Sequence, residues 1–102
     1  MSKQKAKGYR LEKAIANYFN GERKGTLGKE DVAHKIFSIE CKVKNPIPKS
    51  VTKDYKQADN NAPSGKIPLV VWHKDNSKHD DDFIIIKAAH LLEILYGNES
   101  RD

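Results

Sequence analysis

An aspartate, a glutamate and a lysine are the residues of this sequence best suited to chemistry. Glu40 and Lys42 stand two positions apart, and Asp31 precedes Glu40 by nine positions. On a β-strand, residues two positions apart leave the same face about 7 Å from each other. If Asp31 lies beside Glu40 in a hairpin, the two carboxylates form an oxygen site for Mg²⁺ or Mn²⁺. Such an ion polarises a phosphoryl oxygen, and a charged Lys42 beside it would orient water and stabilise transition-state charge.

The spacing of apolar residues predicts the elements that position these three side chains. A helix is expected at residues 9–20, with a stop at Asn20-Gly21. A second helix follows Ser50 as its cap, and a third covers residues 88–96 and ends at Gly97. Strands are expected at residues 30–34, 36–44, 67–72 and 83–86, and one more near residues 25–27 remains open.

Two of these strands differ in pattern. In residues 36–44, one face is apolar and carries Phe37, Ile39, Cys41 and Val43. The other face carries Ile36, Ser38, Glu40 and Lys42. Residues 67–72 are apolar almost throughout, which predicts a central strand covered on both faces. The order α-β-β-(β)-α-β-β-α predicts an α/β (α+β) protein in which a mixed central sheet is flanked by helices.

Length and charge bound the organisation of the chain and its partners. With 102 residues the chain fits one domain, and its first eight residues are expected to form a flexible basic arm. The net charge is +5, with basic residues concentrated in the first 44 positions. A one-sided positive field suits nucleic acid, although simple solubility explains the charge equally well.

The location expected from the sequence is cytoplasmic. The single cysteine, Cys41, excludes an internal disulfide, and the N-terminal run MSKQKAKGYR is followed by no apolar stretch typical of a secretory signal. No apolar run approaches the length of a membrane span, so no membrane partner is expected.

Three segments add a resemblance to a known family. The helix GYRLEKAIANYF, the turn GTLGKEDV and the strand IFSIECKVKN resemble the PD-(D/E)XK nuclease superfamily. Within it they are most similar to small Holliday junction resolvases of archaeal and phage type. The likeness covers about the first 75 residues and implies a restriction-endonuclease-like fold. The chain is shorter than these resolvases, and Glu30 stands where the superfamily name has proline.

The resemblance also implies roles for individual residues. Asp31 and Glu40 would hold Mg²⁺ or Mn²⁺, and Lys42 would be the catalytic lysine. Glu12 would be an outer or second metal-site carboxylate. Gln57, on the helix that follows the lysine strand, would be an additional active-site residue, whereas a plain surface glutamine is the default there.

The basic residues suggest how DNA would be held. Lys3, Lys5, Lys7 and Arg10 would track the phosphate backbone, and Arg23, Lys24, Lys29, Lys35 and Lys44 would surround the cutting site. Contacts of this kind position DNA without selecting a sequence. Recognition is therefore expected to depend on DNA structure, as in branched or junction DNA, or to be nonspecific. Cutting two opposed strands of a junction predicts a homodimer, with the strand at residues 84–86 and the apolar residues near Tyr96 as candidate surfaces.

The remaining candidates favour ordinary structural roles. His73, His79 and Asp80 to Asp82 invite a metal site, but their spacing and the lack of a second cysteine favour a solvated acidic loop. His34 is expected to touch phosphate or to lie at a strand edge, and Cys41 to behave as a small hydrophobe.

Three functions therefore stand side by side. The first is a metal-dependent DNA endonuclease, with Holliday junction resolution in recombination, repair or phage replication as the specific form. The second is a repair or phage nuclease of flaps, single strands or duplex DNA. The third is a nucleic-acid-binding module without activity, in which Glu40 and Lys42 merely pair.

Overall fold

A computed structural model describes residues 3–25 and 30–97 of the chain. It is a mixed α+β protein with three α-helices and two small antiparallel sheets. The chain divides into two compact units, one ending at Asn45 and the other beginning at Pro46.

The first unit packs one helix on a three-stranded sheet. Helix α1 (Lys3–Phe19) is followed by strands β1 (Glu22–Arg23), β2 (Val32–Ala33) and β3 (Ser38–Ile39), paired in the order β1-β2-β3. The helix contacts β1 and β2, and it buries Ala16 and Val32. The alternation predicted for residues 36–44 is confirmed in the burial of residues 36–42. It is wrong at Val43, which is 50% exposed, because the regular strand is limited to two residues and ends at Ile39.

Helix α1 ends as the sequence predicts but begins earlier. Asn20 adopts a left-handed backbone (φ 60°), and the N–H of Gly21 donates to the carbonyl of Ala16 at 2.7 Å. A Cβ at Gly21 would lie 2.5 Å from the carbonyl oxygen of Ala33, so β2 can approach only a glycine there. The predicted flexible arm is wrong for residues 3–8, which form the first turns of the helix because most are strong helix formers.

The second unit combines two helices with a β-hairpin. Its elements are α2 (Lys49–Asn61), β4 (Val70–Trp72), β5 (Phe83–Ile85) and α3 (Ala88–Tyr96). Helix α2 packs on β4, where the indole N–H of Trp72 donates to Asp54 at 2.8 Å. Helix α3 has its predicted bounds and stops at Gly97 (φ 72°), whose N–H donates to the backbone carbonyl of Glu93 at 2.8 Å.

Three expectations about the sheets and caps need correction. Among the described residues there are two separate antiparallel sheets and not one mixed sheet. Strand β4 pairs only with β5 and leaves Val71 exposed, so it is not a central strand covered on both faces. Helix α2 begins before Ser50, with Pro48 at the cap position and no side-chain cap. The strand expected near residues 25–27 lies mostly outside the described residues.

The burial of Val32 generates a stability test. Val32→Ala removes two methyl groups from a side chain that is 0% exposed, so it should lower the free energy of unfolding by about 2 kcal/mol. Val43→Ala, at a side chain 50% exposed in the same unit, should change it by less than about 0.5 kcal/mol. Urea denaturation followed by circular dichroism measures both values. Equal losses for the two variants would contradict the packing described here.

Candidate functional site

Asp31 is the most firmly held of the predicted site residues. Its carbonyl oxygen accepts the N–H of Lys24 at 3.1 Å, and its own N–H donates to the carbonyl of Ile39 at 3.0 Å. Its side-chain Oδ2 accepts the backbone N–H of Cys41 at 2.7 Å. The other oxygen, Oδ1, has no hydrogen-bond partner among the described residues. Asp31 therefore presents one carboxylate oxygen from a fixed backbone.

Asp31 and Glu40 flank the same end of the β2–β3 hairpin. Val32 pairs with Ile39 and Ala33 with Ser38, and the regular pairing stops there. The N–H of Asp31 donates to the carbonyl of Ile39, so the backbone of Asp31 meets Ile39 and not Glu40. The hairpin therefore brings the two residues to one end of the sheet, outside its regular ladder.

The turn of this hairpin is organised by His34. Its N–H donates to the carbonyl of Phe37 at 3.1 Å, and its ring stacks on the Phe37 ring at 5.3 Å. Its Nδ1 accepts the N–H of Ile36 at 3.1 Å. His34 thereby sets the turn that holds β2 and β3 in register.

Cys41 lies among three acidic side chains. Burial raises the pKa of its thiol, and the negative charges of Asp31, Glu12 and Glu40 raise it further. These charges come from α1, from the residue that precedes β2 and from the residue that follows β3. The carboxylates of Glu12, Asp31 and Glu40 do not all approach within 4.8 Å of one another, as far as the described chain goes. The three acids thus surround one thiol without converging on one point.

Glu12 and Arg23 form a pair beside this cluster. The Arg23 Nε lies 3.2 Å from Glu12 Oε1, and its guanidinium lies 4.3 Å from the centre of the Tyr9 ring. Tyr9 and Glu12 stand three positions apart on α1, so both contact the same arginine. Arg23, predicted to contact DNA, is therefore held by the protein itself.

Glu40 and Lys42 are both exposed, and no ion pair within 4.0 Å joins them in the part of the chain that the structure describes. The simple Glu–Lys pair expected of an inactive module is thus not formed there. Gln57 is exposed on α2 in the second unit, and Lys29 lies outside the described residues.

The remaining basic residues divide between helix and hairpin. Lys3, Lys7 and Arg10 are exposed at positions i, i+4 and i+7 of α1, which places them on one helix face. Lys5 is exposed on the same helix, and Lys35 and Lys44 are exposed in the hairpin turn and after β3. Lys24 forms an ion pair with Glu22, with its Nζ 3.8 Å from Glu22 Oε2.

The sequence analysis favoured a solvated acidic loop for residues that form a cluster in the second unit. His73, His79 and Asp82 bring their ligand atoms within 4.8 Å of one another. Asp80 and Asp81 are exposed as the acidic-loop prediction requires, but the Asp82 side chain is only 7% exposed. Hydrogen bonds with His79 and then His73 lower the pKa of the Asp82 carboxyl. Residues separated by up to nine positions meet only once the hairpin forms, so their spacing in the sequence did not favour a cluster.

Comparison of this chain with protein-family profiles, curated protein sequences and solved structures finds no match. No helix among the described residues is long and apolar enough to cross a membrane.

Two substitutions separate the contribution of the Asp31 hydrogen bond from that of its negative charge. Asp31→Ala removes the acceptor of the Cys41 N–H and should lower the free energy of unfolding by about 1–2 kcal/mol. Asp31→Asn keeps an oxygen that accepts this bond, so it should stay within about 0.5 kcal/mol of the parent. Urea denaturation measures both. A loss as large for Asp31→Asn would show that the negative charge, not the hydrogen bond, stabilises the hairpin.

Proposed function

We propose that this protein is a divalent-metal-dependent DNA endonuclease that hydrolyses phosphodiester bonds. The observation that supports the proposal is the β2–β3 hairpin, since Asp31 directly precedes β2 and Glu40 directly follows β3. Lys42 follows two positions later on the same segment. The PD-(D/E)XK resemblance assigns its metal ligands and its lysine to these same residues, and with them a restriction-endonuclease-like fold.

The acidic residues fit a hard cation. Carboxylate oxygens are the donors that Mg²⁺ and Mn²⁺ prefer, and Asp31 Oδ1 has no other partner among the described residues. Asp31 and Glu40 would hold the ion, with Glu12 as the outer carboxylate that Arg23 now pairs. The bound ion supplies positive charge against the phosphate being cut.

The other residues of the proposed site act on the phosphate and the attacking water. Lys42, exposed beside Glu40, orients the water and stabilises the negative charge that develops on the phosphoryl oxygens. Asp31 keeps its orientation through the Cys41 N–H, which holds one of its two oxygens in place. Gln57 and the histidines are not needed for these steps.

The helix face of Lys3, Lys7 and Arg10 is the proposed DNA-binding surface. Three cations on one face of a rigid helix match the regular spacing of backbone phosphates better than a flexible arm does. They contact no base edges in this role, so they give affinity without sequence preference.

Holliday junction resolution by a homodimer is the specific form that we propose. Val71 and Ile84 pair across β4 and β5, and both are exposed on one face of the hairpin. Leu69, two positions before Val71, is exposed as well. An exposed apolar face of this kind suits an interface between two copies. Two symmetric copies would bring two sites to opposed strands of a junction.

Cleavage tests the function directly. Wild-type protein with Mg²⁺ or Mn²⁺ should make paired symmetric cuts in a labelled four-way junction, more efficiently than in a flap or a linear duplex of the same sequence. Asp31→Asn and Glu40→Gln should each reduce cleavage more than about 100-fold while DNA binding persists. Glu22→Gln, an exposed acidic residue of the same sheet, is the matched control and should cut normally.

The pattern of cutting separates the alternatives. Equal cleavage of all three substrates, or a monomer on DNA in sedimentation, would leave a general nuclease and retire the junction-specific form. An absence of metal-dependent cleavage with intact binding would refute the nuclease proposal and favour a binding module.

The basic helix face has its own test. The triple variant Lys3→Ala, Lys7→Ala and Arg10→Ala should bind duplex DNA more weakly. The plot of the log of its binding constant against the log of the salt concentration should be less steep, by roughly 3. Lys49, Lys53 and Lys56 have the same spacing on α2 and are exposed, so their triple alanine variant is the control for net charge. Fluorescence anisotropy at several salt concentrations measures both slopes. Equal effects of the two triple variants would show a diffuse charge effect and not a binding face.

A further inference from the structure

The connection between β4 and β5 places three potential metal ligands together. His73 directly follows β4 and Asp82 directly precedes β5. Because Trp72 pairs with Phe83, the next pair of the ladder sets His73 opposite Asp82. His79 begins a short 3-10 helix (His79–Asp81), and the N–H of Asp82 donates back to its carbonyl at 3.1 Å. The hairpin and this turn therefore deliver all three side chains to one place.

One carboxylate serves both imidazoles. Asp82 Oδ1 lies 2.6 Å from His73 Nδ1, and Asp82 Oδ2 lies 3.0 Å from His79 Nδ1. The two imidazole rings lie 4.6 Å apart, centre to centre. This arrangement points two nitrogens and a carboxylate at a common volume.

The donor set selects a class of ion. Imidazole nitrogens suit Zn²⁺, Cu²⁺ and Ni²⁺, whereas Mg²⁺ and Ca²⁺ take oxygen ligands. Bonds of about 2.0–2.2 Å to Zn²⁺ place neighbouring tetrahedral ligand atoms about 3.4 Å apart. The observed contacts of 2.6 Å and 3.0 Å need to open by less than about 1 Å to reach that spacing. The His79 side chain is 86% exposed, so it can rotate by that amount without disturbing the packing.

We propose that His73, His79 and Asp82 form a binding site for a divalent transition-metal ion, with Zn²⁺ as the first choice. The ion replaces the hydrogens that now join the imidazoles to the carboxylate. It thereby clamps the connection between β4 and β5 in its hairpin form. This site differs from the Asp31–Glu40 pair in its donors, and it does not depend on nuclease activity.

Zinc titration of the full-length protein tests the proposal. We would use an Asp31→Asn, Glu40→Gln background, so that the other acidic pair does not compete for the ion. Trp72, the only tryptophan, adjoins His73, so its fluorescence reports on the site, and calorimetry gives the stoichiometry. One equivalent of Zn²⁺ should bind, and it should raise the Tm because the native hairpin holds the ligands together.

Two variants and a control make the test specific. His79→Ala and Asp82→Asn should each weaken Zn²⁺ binding by at least about tenfold and abolish the Tm shift. Asp80→Asn removes the same charge from an exposed position in the same loop, so it should bind Zn²⁺ like the parent. His79→Ala alters a side chain largely in solvent, so folding is retained and checked by far-ultraviolet circular dichroism. Saturable binding that is unchanged in His79→Ala, or no saturable binding at millimolar Zn²⁺, would overturn the proposal. The three side chains would then serve only to hydrogen-bond one another.

Discussion

Asp31 joins the three strands of the first unit, and the candidate site depends on that connection. Its backbone bonds to Lys24 after β1 and to Ile39 in β3, and its side chain holds the backbone of Cys41. The carboxylate that would bind a cation is thus the same group that fixes the end of the hairpin. Strands of only two residues make few ladder bonds, so this side-chain bond carries much of the local order.

The acidic side chains near Cys41 act on its thiol. Burial raises the pKa of that thiol, and the negative charges of Asp31, Glu12 and Glu40 raise it further. One of these acids, Glu12, is paired with Arg23, which lies over Tyr9. A cation held by the proposed nuclease site would add positive charge at this end of the hairpin.

The hairpin of the second unit uses its two faces differently. One face meets α2, where Trp72 donates to Asp54, but Phe83 on that face is 75% exposed. The other leaves Val71 and Ile84 exposed, and His73 and Asp82 continue the same side of the ladder beyond them. A two-stranded sheet is only marginally stable by itself. Additional constraints at the connection between its strands, from paired imidazoles and a carboxylate or from an ion, would therefore stabilise it.

The sequence by itself determined the helices, the turn signals and the β2–β3 hairpin, because apolar spacing and Asn20, Gly21 and Gly97 act over short distances. It also predicted that Asp31 and Glu40 belong to one hairpin, whose end they flank in the structure. Only the tertiary structure decided that β4 is not covered on both faces, because an apolar run does not specify what covers it. Likewise, Arg23 is claimed by Glu12 and Tyr9, and Asp82 is enclosed by two histidines, through contacts between separate elements. Such contacts depend on packing geometry, which linear spacing does not encode.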